Sequence, residues 1–433
     1  MIQIDRRHLR ETLADLVRIP SINPDLVPGA GGEREIAEAI AARLRTTPGI
    51  TVELQDAGGG RPNVIAIVGE GSGRRLMLNG HVDTVGVAGM ADPFSARVED
   101  DRLYGRGAFD MKGSLASMIV LLEAIARAGE FPGQLIATFV VDEEYASIGT
   151  QAICREIDRW RPDAALVLEP TDLNIGVAHK GFVWAEIVTR GRAAHGSDFR
   201  AGVDAIAHMG RVLVELERLG ADLLARTPHR YVGPPSIHAS LISGGQELSS
   251  YPEECCLQIE RRTVPGETAA QVEAELQAIL DRLSAEDDQF NATLTMGVVR
   301  EPFEISEDAE IVRVLGRAVE RELGQEPVVY GGFGWMDSAP AGRRRGSDGD
   351  LRPLRGGGPR VGRVERPCFP GGRHPCHRPR RLRLLRDVGG ATSSPLTPNS
   401  YWTEPTMGEG RTVFSSRLRD AQSVPGGQRE SQT

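Results

Sequence analysis

The chain has 433 residues, 40% of them apolar and only 5% aromatic, with a mean hydropathy of -0.26 and a formal net charge of -9. A single core stops growing near ~250–300 residues, so two domains are expected. The longest apolar run, at 118–122, is cut by Glu123 far short of the ~20 residues of a membrane span, and Asp5, Arg6, Arg7, Arg10 and Glu11 break any signal-peptide core, which leaves a cytoplasmic enzyme with no membrane partner as the expectation.

In chain order, Leu9, Leu13 and Leu16 mark one face of a first helix, which Ile19-Pro-Ser-Ile-Asn-Pro24 ends, and Ile36, Ile40 and Leu44 mark a second. Strands are predicted at 63–68, 75–78, 135–141 and 164–168. Their apolar runs are continuous, as in strands covered on both faces, so a sheet sandwiched by helices follows. The order then changes to strand 182–188, helix 203–219, strands 236–242 and 255–262, helix 268–283 and strand 290–296. That β-α-β-β-α-β order is ferredoxin-like. A helix carrying Ile311, Val312, Leu315 and Val319 and a strand at 328–330 return the chain to the first domain. The expected fold is thus α/β, with a catalytic domain at 1–181 and 299–340 and an inserted α+β domain at 182–298.

Four acid or histidine stations stand where strand patterns give way to loops: His81-Val-Asp83, Asp110 in Gly105-Arg-Gly-Ala-Phe-Asp110-Met-Lys-Gly113, Asp142-Glu143-Glu144, and Glu169-Pro170. Ligands bind at that rim of an α/β sheet, and imidazole with carboxylates is a zinc donor set. Asp83 is placed to orient His81, and Asp110, in a glycine-flanked turn, to bridge two metals. Of the adjacent Glu143 and Glu144, one can ligate while the other accepts a proton. Five cysteines, an odd number without two-residue spacing, favour neither a disulfide framework nor a thiolate site. Only two of the 51 basic residues are lysines, Lys112 and Lys180, a bias expected of GC-rich codons.

These four motifs resemble, in order and spacing over about residues 5–340, the zinc-dependent family of acetylornithine deacetylase, succinyl-diaminopimelate desuccinylase, aminoacylase and carboxypeptidase G. The resemblance implies two zincs per site, replaceable by cobalt or manganese: His81 and Glu169 hold one, Glu144 helps to hold the other, and Asp110 bridges them. Asp83 then orients His81, and Glu143 is the general base. It also implies that the inserted domain is a lid through which a homodimer forms. Within Gly191-Arg-Ala-Ala-His195-Gly-Ser197, His195 would stabilise the oxyanion, and in Glu260-Arg261-Arg262, Arg262 would bind the substrate carboxylate. The implied reaction is hydrolysis of the amide of an N-acyl amino acid or small peptide.

The family's late histidine, ligand to the second metal, does not follow Tyr330-Gly-Gly-Phe-Gly-Trp-Met-Asp337-Ser-Ala339. Residues 1–340 hold 33 Lys and Arg against 52 Asp and Glu, whereas 341–433 hold 18 against 8, in an Arg/Gly/Pro-rich stretch without periodicity. Such a tail fits nucleic-acid binding, a new metal site at His374, Cys376 and His377, or a frameshift near 338–343. A shift of one nucleotide lets 347–354 read Pro-Thr-Val-Ile-Tyr-Gly-Pro-Ser and 355–364 continue as Gly-Ala-Gly-Ala-His-Ala-Ser-Val-Glu-Trp, which resembles the missing segment. On that reading nucleic acid is not a partner, 341–433 is disordered, and the chain is a hydrolase weakened to one metal or to inactivity.

Overall fold

Asp5 caps the first helix, α1 (Arg6–Arg18), by accepting from the Arg7 and His8 amides, and Leu13, Leu16 and Val17 are buried along one face. In the computed structural model, which describes residues 2–342 apart from 71 and 130, there follow α2 (Arg34–Arg45), β1 (Ile50–Asp56), β2 (Pro62–Val68), β3 (Arg75–His81) and a hairpin of β4 (Arg97–Glu99) and β5 (Arg102–Tyr104). The turn Ala108–Lys112 leads into α3 (Gly113–Ala128), β6 (Gln134–Val140), α4 (Ile148–Arg155), α5 (Ile157–Trp160) and β7 (Ala164–Val167). The sheet order is β1-β2-β6-β3-β7, with β6, β3 and β7 parallel and β1 and β2 antiparallel.

The continuous apolar runs are explained by cover on both faces. Val64, Ala66 and Val68 of β2 pack with Leu13, Ile36, Ile40 and Leu115 of the first three helices. Ile65 of the same strand points the other way, with Ile153 of α4 and Trp160 of α5. α3 had no visible period because ten of its residues are buried, leaving no broad polar face to mark it. β1 and the β4–β5 hairpin were also not expected; the hairpin has only three residues per strand.

β8 (Ile175–His179) pairs with β13 (Phe303–Glu304) and β14 (Val329–Gly332) in a small sheet. Between them lie β9 (Gly181–Arg190), α6 (Ala205–Ala225), β10 (Ser236–Gly244), β11 (Glu254–Thr263), α7 (Ala269–Glu286) and β12 (Asn291–Arg300), the ferredoxin-like order expected. Their antiparallel sheet runs β10-β11-β9-β12. Val183, Ala185 and Ile187 of β9 face Met209 and Val212 of α6 and Val272 and Leu276 of α7, so Phe182, Trp184 and Glu186 take the helix-free face. α8 (Glu310–Leu323) and the short α9 (Ser338–Gly342) complete the described elements. The expectations of disorder and of altered metal ligands in 341–433 fall outside the described residues. Among the described residues no helix is long and apolar enough to cross a membrane.

Candidate active site and metal centre

Three parallel neighbours in the sheet end side by side, and their carboxyl ends carry the stations: His81 closes β3, Asp142 to Glu144 follow β6, and Glu169 follows β7. Asn79 of β3 pairs with Val167 of β7, so His81 and Glu169 stand in step two residues further on. His81 Nε2 lies 3.0 Å from Asp110 Oδ1 and 3.8 Å from Glu169 Oε1. One donor atom from each of His81, Asp110 and Glu169 lies within 4.8 Å of the others. Glu169 Oε1 is buried without a hydrogen-bond partner among the described residues. An imidazole with two carboxylates, one oxygen of them orphaned, fits zinc, cobalt or manganese.

Below the donors, a buried polar network fixes the loops. Asp83, wholly buried, accepts from Asn23 Nδ2 at 2.8 Å and from the Glu143 and Glu144 amides at 3.1 Å each. His81 Nδ1 lies 3.0 Å from the Asp83 carbonyl and 3.5 Å from its carboxylate. The main chain of Asp83 therefore holds the ring more closely than its side chain does. Asp142 accepts from Asn23 at 3.0 Å and pairs with Arg61 at 2.9 Å. Asp337 accepts from Ser147 Oγ and, at 2.6 Å, from Thr150 Oγ1.

The model of peptidase family M20/M25/M40 matches residues 77–342. An acetylornithine deacetylase of Myxococcus xanthus is 32% identical over 347 residues, 75% of this chain and 88% of that protein. The chain belongs to peptidase family M20/M25/M40. A second relative, the N-formyl-4-amino-5-aminomethyl-2-methylpyrimidine deformylase of Bacillus subtilis, is 32% identical over 281 residues, 60% of this chain and 65% of that one. Among solved structures, the M20 metallo-carboxypeptidase Sso-CP2 of Sulfolobus solfataricus superposes with a TM-score of 0.63 at 18% identity, covering 78% of this chain and 88% of that chain. A dinuclear metal-binding M20 peptidase of Bacillus subtilis gives 0.56 at 17%, covering 77% and 84%. These last two likenesses establish the M20 fold, and the family makes the chain a metal-dependent hydrolase of amide bonds by descent.

The acids of this M20 site share one electrostatic condition. Burial pushes Glu169 up to about 8 and Glu144 up to about 7, in each case against the pull of His81. Glu143 is pushed well above the usual carboxylate range, first by burial. His81 is raised despite its burial because Glu169, Asp110 and Asp83 surround it. Carboxylates outnumber the cations that would keep them ionised, as a metal site requires.

Asp337, electrostatically linked to His81 and Asp83, provides a further pH probe. Burial lifts it to about 6, against its two hydroxyl donors. A carboxyl raised in the folded state stabilises most below its unfolded pKa, and that contribution is lost as pH rises through the folded value. For the metal-free chain, Asp337→Asn is expected to flatten the fall in unfolding free energy between pH 4 and pH 7 by up to about 3 kcal/mol. Urea denaturation at both pH values measures it; an unchanged slope would count against the burial assigned to this carboxyl.

The structure gathers His81, Asp83, Asp110, Glu143, Glu144 and Glu169 at this rim, although Glu144 is not one of the three converged donors. His195 is elsewhere: it is exposed, hydrogen-bonded to Ser197 Oγ at 2.8 Å and bridged to Ser250. Arg262 donates to Glu260 at 2.6 Å and stacks on Phe182. The helix-free face bearing Phe182 and Trp184 meets the loop after Glu144, since the Tyr145 and Trp184 rings are 6.5 Å apart. Asn23, Arg61 and Glu33 were not anticipated. Their only signal was polar residues in short loops, and burial is what gives them their part.

Proposed function

We propose that His81, Asp110 and Glu169 hold a divalent metal, zinc first, and that the chain is built to hydrolyse the amide of N-acyl amino acids or small peptides. The convergence of one imidazole and two carboxylates, with Glu169 Oε1 unpartnered among the described residues, supports this. A metal held there supplies Lewis acidity to the scissile carbonyl and acidifies a water. Asp83 keeps His81 Nδ1 occupied, which directs Nε2 into the site. Glu143 takes the proton of the attacking water and returns it to the leaving nitrogen, and its burial gives it the proton affinity for both steps. His195 donates to the developing oxyanion and Arg262 grips the substrate carboxylate once the inserted domain, 182–298 in our division of the chain, closes on residues 1–181 and 299–340.

Glu144, together with Asp110, would hold a second metal. Among the described residues, the donors that converge are His81, Asp110 and Glu169 alone. That favours a second reading, a hydrolase fold with one metal and little or no turnover, caused by a frameshift near 338–343. Zinc calorimetry tests both: about one equivalent per chain is expected, lost in His81→Ala. Two equivalents with full turnover would sink the one-metal reading, and no binding would sink the metal site.

The dimer we propose forms through β10, an edge strand on which Leu241 and Ile242 are 61% and 55% exposed. Leu241→Lys is expected to convert a sedimenting dimer to monomer; a monomeric parent chain would end the idea. We also propose a reducing, cytoplasmic setting, in keeping with the absence of a disulfide among the described cysteines.

A further inference from the structure

In a chain that uses arginine at all but two of its 51 basic positions, both lysines are buried: Lys112 is fully shielded and Lys180 is 9% exposed. Each ends on main-chain carbonyls, Lys180 on Pro234 at 2.6 Å and Lys112 on Leu16 at 3.1 Å and Ile19 at 2.8 Å. A codon bias toward arginine has therefore stopped at two enclosed sites, at each of which the lysine nitrogen ends on main-chain carbonyl oxygen.

Lys112 stands two residues from Asp110, and its surroundings connect the Asp110 turn with the loops that follow β3 and β6. Its ammonium joins the C-terminal carbonyls of α1, where a cation is favoured. Its amide donates to Gly107 at 2.8 Å, closing the turn that carries Asp110. Gly107 has φ +77, and a Cβ there would lie 3.3 Å from Lys112 Cδ and Cε and 2.7 Å from Thr84 Cγ2, so the lysine stem runs directly beneath the turn. On the other side of Asp110, buried Met111 receives the His81 amide on its sulfur at 3.2 Å. Beyond α1, Ser21 and Asn23 bond the main chain of Thr84, and Asn23 holds Asp83 and Asp142.

We infer that Lys112 is a positioning residue: it locks the Asp110 turn to the end of α1 and so sets Asp110 against His81 and Glu169. This rests on the metal reading of those three residues. A lysine that merely filled the core would affect stability without changing how a metal is held.

The test is cobalt titration of the full chain, followed by its visible absorption, 20 °C below each variant's unfolding midpoint. Lys112→Met is expected to weaken cobalt binding about tenfold or more and to alter the band pattern. Ile40→Ala, a deletion in the α2 packing, is expected to lower the midpoint with cobalt affinity and spectrum unchanged. If the methionine variant does not fold, Lys112→Arg carries the same comparison, since it keeps the charge but adds bulk. Parental affinity and spectrum in the Lys112 variant, or a loss no greater than that of Ile40→Ala, overturns the inference. Failure of the parent chain itself to bind cobalt overturns the metal reading instead.

Discussion

Replacing Arg61 by leucine is expected to lower the free energy of unfolding by about 3–5 kcal/mol, the loss found when one member of a buried charge cluster is removed. The Glu33 and Asp142 side chains are wholly shielded from solvent, and that of Arg61 is 13% exposed. Arg61 Nε donates to Glu33 at 2.9 Å, and its terminal nitrogens reach Glu33, Asp142 and, at 2.6 Å, Asp25. Without the guanidinium, two buried carboxylates lose their cation and must ionise at high cost or take up protons. Burial already pushes both upward. A carboxyl whose folded pKa rises is least destabilising when protonated, so the deficit should shrink as pH falls toward the carboxylate range. Arg159→Leu is the control: it removes an exposed pair with Glu53 and should leave stability close to that of the parent chain. A comparable loss in both variants, by urea denaturation at pH 7, would show that burial of the Arg61 cluster has been misread.

The second large effect is expected from a one-nucleotide correction near codons 338–343. On the frameshift we propose, the shifted reading permits Gly-Ala-Gly-Ala-His in place of an arginine-rich segment, and that histidine would join Asp110 and Glu144 at the proposed second metal position. The corrected chain is expected to bind about two metals instead of one and to hydrolyse N-acyl amino acids at least about 10²-fold faster, since a lost group that stabilises transition-state charge costs that much or more. Metal analysis with single-turnover assays on N-acetyl and N-succinyl amino acids reads both. A corrected chain with the parent's metal content and rate would end the frameshift proposal.

The fold was legible where the chain alternates between a core and a solvent face, as in α1 or the helices of the inserted unit, and where strands are sealed on both sides. It was illegible where burial removes the alternation, as in α3, or where elements have only three residues, as in β4 and β5. At the candidate site, His81, Asp110 and Glu169 were picked out by acids and a histidine recurring where strand patterns give way to loops, together with the family resemblance, and the structure brings one atom of each together. Their supports were not picked out. Asn23, Arg61 and Lys112 are ordinary residues by type, and what distinguishes them is enclosure with long-range partners, such as Asn23 with Asp142 or Lys112 with Leu16. Asp83 illustrates the finer limit: its proximity to His81 followed from a spacing of two, but the closer grip of its carbonyl over its carboxylate depends on local backbone geometry.

The in-step pairing of β3 with β7 makes the sheet itself the gauge of the donor cluster. Neighbouring strands lie about 4.8 Å apart, close to the span within which one atom each of His81, Asp110 and Glu169 falls. Because side chains alternate faces along a strand, a slip of a single residue between Asn79 and Val167 would turn one donor away from the other. On the metal reading proposed above, correct strand alignment during folding would also serve to check the ion-binding geometry, and a misaligned chain would fail to retain metal.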